Sequence, residues 1–141
     1  MPSPHRSKII TALLAATLGT FSAHSWYLRR PWAWSATLGA ALLALKAALA
    51  PVWWDTPAFF LLIVPATAGF IESLIFSLKP DAWFDARYNP ASPRHTQTRW
   101  TPILIAIFST LAGSTLLLLI LSLTILHLYK ALGWLDGYVV Y

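Results

Sequence analysis

Cysteine is absent from the 141 residues. That excludes disulfides, cysteine-ligated zinc, thiol nucleophiles and cysteine-bound iron–sulfur clusters, and it says nothing about compartment. Charge is scarce too. Charged residues make up 11% of the chain and hydrophobic residues 57%, where soluble domains carry roughly 25% charged residues. A soluble surface this poor in charge would aggregate, whereas a bilayer solvates an apolar exterior. Phosphate-binding loops, nucleotide fingerprints, nucleophile–base pairs and metal-ligand spacings are also missing. No catalytic residue, cofactor or metal is expected, and the chain reads as a non-enzyme of one membrane domain, residues 1–141.

What is present is four apolar runs: Ile9–Leu28, Trp32–Ala50, Ala58–Leu78 and Pro102–Tyr129. Crossing about 30 Å of hydrocarbon takes about 20 helical residues, so each run has the length. The first is the most polar, with Thr11, Thr17, Thr20, Ser22, His24 and Ser25. It starts like a signal peptide, but a cleavage site after Ala23 would put Phe21 where a small residue is wanted. The runs are punctuated by Arg29-Arg30-Pro31, by Pro51 and Pro57, and by the polar segment Lys79–Thr101 with its three prolines. Eight tryptophans and five tyrosines suit the headgroup level of a bilayer. The expected fold is an all-α integral membrane protein, a four-helix transmembrane bundle whose first helix either spans or is re-entrant.

The net charge of +5 sits in short loops, so it reads as an orientation signal and not as a nucleic-acid surface. With four spans, Arg29, Arg30, Lys79, Arg87, Arg94 and Arg99 share one side, and Arg6, Lys8 and Lys130 the other. Six against three puts the 79–101 loop in the cytoplasm and both termini outside. A re-entrant first run would bring Arg6 and Lys8 inside as well, at the expense of a polar hairpin in lipid. Small residues recur every fourth position on each run, as in Thr11/Ala15/Gly19/Ala23 and Gly69/Ser73/Ser77. Such ridges let helix backbones approach closely, here first of all within one chain.

Two motifs resemble a known family. Ser7-Lys8, Leu13-Leu14-Ala15, Leu18-Gly19, His24, Tyr27 and Leu28 look like the opening of the TM2 domain. Ser22 and Arg29 stand where that family has glycine, Ser25 where it has the turn arginine, and Trp26 where it has phenylalanine. Pro80, Asp81, Phe84, Asp85, Ala86, Arg87, Asn89 and Pro90 are similar to a segment of bacterial TM2-domain proteins of the NINE type. The resemblance implies a TM2-like helical hairpin over 7–50 and a second helix pair over 58–130 with the cytoplasmic loop 79–101. It also implies a multi-pass protein of the bacterial inner (cytoplasmic) membrane. It implies no reaction.

Ionisable side chains within apolar runs are the candidates for function. Glu72 lies about 9 Å of helix rise from the end of the third run. His24 lies at a similar distance from Arg29 and Arg30. A polar clasp of His24, Glu72 and Arg29 or Arg30 is expected, structural in the first reading and a proton or ligand site in the second. Lys46 reads as a snorkelling side chain, and Asp55 as a cap for the third run. His24 and His127 fall at opposite ends, which argues against a shared haem. In the 79–101 loop, Trp83, Phe84, Arg87, Tyr88, Arg94 and Arg99 suit anionic lipid headgroups or a protein partner. The expected role is a scaffold or accessory subunit in the lipid bilayer, with a membrane protein partner or a homo-oligomer. A pore-forming or holin-like oligomer is the alternative, and a small subunit of a redox or transport complex the third reading.

Overall fold

The computed structural model describes residues 4–137, and every described element is helical. In chain order the helices are α1 (Lys8–Leu18), a 3-10 turn (Gly19–Phe21), α2 (Ala23–Tyr27) and α3 (Ala33–Ala48). They continue with α4 (Pro57–Leu61), α5 (Ile63–Leu78), α6 (Asp81–Tyr88) and α7 (Thr101–Ala131). Two stretches are long and apolar enough to cross a membrane, Pro57–Leu78 and Thr101–Ala131. The first is interrupted only at Leu62, where Pro65 removes the amide that would bond back to residue 61.

The first apolar run departs from a simple span. α1 opens on Ser7, whose hydroxyl accepts the Ile10 amide, and it ends after three turns at Gly19. Ser22 then adopts a left-handed conformation (φ 57°) and the chain reverses into α2. Contacts with α5 trace the path. Lys8 meets Lys79, the Ala12 carbonyl accepts from Ser73, and Gly19 meets Gly69. The returning arm brings His24 to Glu72 and the Tyr27 hydroxyl to the Ser7 amide at 2.9 Å. Both ends of the run therefore lie at the Leu78 end of α5. Gly69 lies nine residues from that end, about 14 Å of rise, so the hairpin runs along little more than half of α5. A bundle of four straight spans is not what forms.

α5 is the central element, packed against both the α1–α2 hairpin and α7, which also touch each other. Its small residues make this possible. A Cβ on Gly69 would lie 2.6 Å from the Gly19 Cα, so only glycine admits the crossing. One turn on, Ser73 is bonded to Ser109 of α7 at 2.8 Å as well as to Ala12. Small residues of the first and third runs thus meet one another, and Ser109 of α7 joins them. α3 crosses beside α4 and ties down the hairpin tip: Thr37 donates to the Phe21 carbonyl, which the broken helix leaves unpaired, and accepts from Trp26.

Gly69→Val should lower stability by about 1–3 kcal/mol through overpacking. Gly39, with open space around its Cα, should tolerate alanine with a gain of about 0.5–1 kcal/mol. Thermal unfolding of the two variants in detergent checks both signs. Equal tolerance at the two positions would show that the Gly19–Gly69 crossing is absent.

Candidate functional site

The polar chemistry gathers at the Leu78 end of α5, beneath α6. α6 begins after Pro80 and carries Asp81 in its first turn, where a carboxylate is favoured by the helix dipole. Phe84 on its inner face is completely buried against Phe76 and Tyr88. This corrects one expectation for the loop: Phe84 faces neither lipid nor partner, because it is the contact that seats α6 on the bundle. Tyr88 is likewise engaged inward, and Trp83 is half-buried, edge-on to Tyr88 with the Lys79 ammonium 5.8 Å above its ring. Arg87, Arg94 and Arg99 remain exposed.

Glu72, His24 and Arg30 come together. Arg30 donates to both carboxylate oxygens of Glu72, at 2.9 and 2.6 Å, and to the Tyr88 hydroxyl at 3.0 Å. Burial works against the Arg30 charge, but the Tyr88 hydroxyl and Glu72 outweigh it and raise its affinity for the proton. The guanidinium also lies over Trp32 and Phe76. His24 Nε2 is 2.9 Å from Glu72, yet off the axis of a good hydrogen bond, and its Nδ1 has no protein partner. Beside it is a cavity of about 110 Å³ lined by Gly19, Ser22, His24, Trp32, Gly69 and Glu72 among others. Arg29 is not part of the clasp and points into a separate cleft with Arg6 and Arg87.

A second network, unforeseen from sequence, locks the N-terminal segment under the loop. Lys8 is buried and donates to Asp81 at 2.7 Å and to the Lys79 carbonyl at 2.6 Å. The last carbonyl-rich turn of α5 is thus met by a cation, as the dipole favours. Asp81 also accepts from the Thr98 amide and hydroxyl. Asp85 accepts from Asn89, from the Thr96 amide at 2.6 Å and from the Thr96 hydroxyl. Asn89 pairs with both backbone groups of Arg6. The N-terminal segment 5–8, helix α6 with its flanks and the loop segment 92–98 thereby satisfy one another.

At the other end Asp55 does not cap α4; the Thr56 hydroxyl does, accepting from the Phe59 amide. Asp55 instead pairs with His127 at 2.8 Å and lies 3.6 Å from Lys130, joining the α3–α4 loop to α7. Among the described residues no three His, Asp or Glu side chains converge as a metal site. Comparison with protein-family models, curated proteins and solved structures finds no match to this chain.

Burial raises the Asp81 and Asp85 pKa values, but their partners outweigh it. Lys8 and Thr98 hold Asp81 below its ordinary value of 3.8, and Asn89 and Thr96 do the same for Asp85. A depressed carboxylate adds stability that is complete above the unfolded value and is lost as pH falls through the folded one. The melting temperature in detergent should therefore drop as pH falls below 3.8. An Asp81→Asn, Asp85→Asn double variant should start lower at neutral pH and lose less on acidification. Parallel curves for the two proteins would contradict the network.

Proposed function

We propose that the chain is a multi-pass membrane protein acting as a non-catalytic scaffold or accessory subunit of a membrane complex. One observation supports this reading above others. The outward surface of the long helices is apolar, while Glu72, Ser73 and Ser109 are engaged with internal partners. Only 28% and 22% of the most apolar stretches of Pro57–Leu78 and Thr101–Ala131 are buried. Ile71, Ile75, Leu104, Leu111, Leu118 and Leu121 are all exposed. Core helices of a soluble protein would have these side chains inside.

In this reading α3, α4–α5 and α7 cross the bilayer, and α1–α2 is a re-entrant hairpin. Irregular backbone at membrane depth is tolerated where protein satisfies its polar groups, as Thr37 does for the Phe21 carbonyl. α3 is 16 residues long, about 24 Å, and Trp32, Trp34, Trp53 and Trp54 mark its two ends as interfacial anchors. The hairpin improves the charge balance. Arg6, Lys8, Arg29, Arg30, Lys79, Arg87, Arg94 and Arg99 all gather at the α6 end, leaving Lys46 and Lys130 elsewhere among the ten basic residues. The positive-inside rule then puts that end, with the N-terminal segment and the 79–101 loop, in the cytoplasm, and the C-terminus outside. A bacterial inner membrane is the setting that the TM2-like motifs imply.

The clasp of His24, Glu72 and Arg30 serves as a lock in this reading. It joins α2, the α2–α3 turn, α5 and α6, and its charges offset one another. A pore reading needs a polar stripe on a lumen. Here Thr11, Ser73 and Ser109 are buried between helices and hydrogen-bonded there.

The natural absence of cysteine makes topology direct to read. Single cysteines at His5, Asp55 and Gln97 in sealed inverted vesicles should label with a membrane-impermeant thiol reagent at 5 and 97 only. Labelling at 55 with protection at 5 would overturn the orientation. Equal labelling of all three, with the protein released by carbonate, would overturn membrane insertion. Isolation in mild detergent should yield a defined hetero-complex, and reconstituted protein should give no conductance. Conductance with a homo-oligomer would move the assignment to a pore.

A further inference from the structure

Four arginines converge on one open cleft at the α6 end. Arg6 from the N-terminal segment, Arg29 and Arg30 from the α2–α3 turn and Arg87 from α6 line a space of about 590 Å³, with Trp32 and Tyr88 beside them. Arg30 is committed to Glu72 and Tyr88, and Arg6 reaches the Tyr88 carbonyl at 3.4 Å. Arg29 and Arg87 have no acidic partner among the described residues, and neither does Arg6. Every nearby carboxylate is already spent: Glu72 on Arg30 and His24, Asp81 on Lys8, Asp85 on Asn89 and Thr96. Like charges repel unless an anion joins them, so the cleft is an electrostatic site with no counter-charge among the described residues.

The backbone at Arg29 points the same way. α2 ends in a Schellman closure, with the Arg30 amide bonded to the Ser25 carbonyl at 3.0 Å. The residue at the turn of that motif is left-handed, and glycine is the usual choice there. This chain has Arg29 at φ 55°, a conformation that costs an L-residue about 1–2 kcal/mol. The penalty falls on a residue that lines the cleft.

We infer that the cleft binds a phosphate-bearing anion, held by the guanidinium groups of Arg6, Arg29 and Arg87 with Arg30 behind them. Guanidinium forks match phosphate oxygens in bidentate geometry. Trp32 is exposed at the rim and sits at the end of α3, the level at which headgroup phosphates lie. The favoured source is therefore the headgroup of an anionic phospholipid, and a soluble phosphate is the other source of the same chemistry. The lipid arm rests on the membrane reading above; the phosphate chemistry does not.

The test uses the full chain in nanodiscs and in detergent. Native mass spectrometry should show phosphatidylglycerol or phosphatidic acid retained over phosphatidylcholine. Arg29→Gly and Arg87→Gln should each weaken retention about tenfold, as expected for loss of one charge-assisted contact. Arg29→Gly separates binding from folding, because glycine relieves the left-handed strain: its melting temperature should hold or rise while binding falls. Arg94→Gln and Arg99→Gln, whose side chains lie outside the cleft, should bind as wild type. Stabilisation by inorganic phosphate in detergent, lost in Arg29→Gly and without lipid preference, would assign the soluble source. No preference for anionic lipid and no phosphate effect would overturn the site, as would equal losses at 94 and 99. Failure of wild type to enter nanodiscs would refute the membrane reading alone, since the phosphate arm is read in detergent.

Discussion

A carboxylate on an apolar helix has to be neutralised by the protein that carries it, because lipid offers no counter-charge or water. Glu72 is the one acid on the two membrane-length helices, and much of the structure follows from meeting that need. Arg30 comes to it from a loop and His24 from a helix that turns back to reach it. The return of α2 is what makes the first run a hairpin. The hairpin in turn demands a flat crossing on α5, which Gly19 and Gly69 supply. Tyr88 on the far side of Arg30 extends the chain of contacts to α6, so the clasp holds four elements in one register.

The two ends of the molecule are built differently. At the α6 end, irregular backbone is stitched by side chains with long sequence separation, from Lys8 to Asp81 and from Arg6 to Asn89. Buried polar groups favour partners, and the N-terminal segment supplies several there. At the opposite end a single acid, Asp55, gathers His127 and Lys130. The asymmetry follows the charge distribution: basic residues accumulate where the chain is least regular, and the apolar surface between the ends is continuous. The arginine cleft is the place where that accumulation exceeds what the chain's own acids can balance.

Much of this was legible in the residues. All-helical character followed from four long apolar runs, and His24 and Glu72 do meet, although the count that paired them assumed a first run that spans. The hairpin was harder to see. Gly19 fits a ridge of small residues as well as it fits a reversal, and the left-handed turn at Ser22 carries no glycine to announce it. Asp55 looked like a cap because it precedes Pro57, but Thr56 is one residue closer to the helix and has the right geometry. Lys8 read as an orientation charge because its partner, Asp81, is 73 residues away. Phe84 read as an interfacial anchor since an eight-residue helix does not reveal which face it will turn inward. Local pattern reports what an element prefers; which residues meet across the bundle depends on where the chain reverses.

The hairpin is tested most directly by the separation of Ser7 and Tyr27. The Ser7 amide and the Tyr27 hydroxyl are 2.9 Å apart, whereas a continuous helix over the same residues would separate the two positions by about 30 Å. With no native cysteine, a Ser7→Cys, Tyr27→Cys variant carries one thiol pair. In native membranes a short bifunctional thiol reagent should link it within one chain in high yield. A pair that stays unlinked while each single cysteine labels normally would show that the first run crosses the bilayer, and would contradict the hairpin and the clasp built on it.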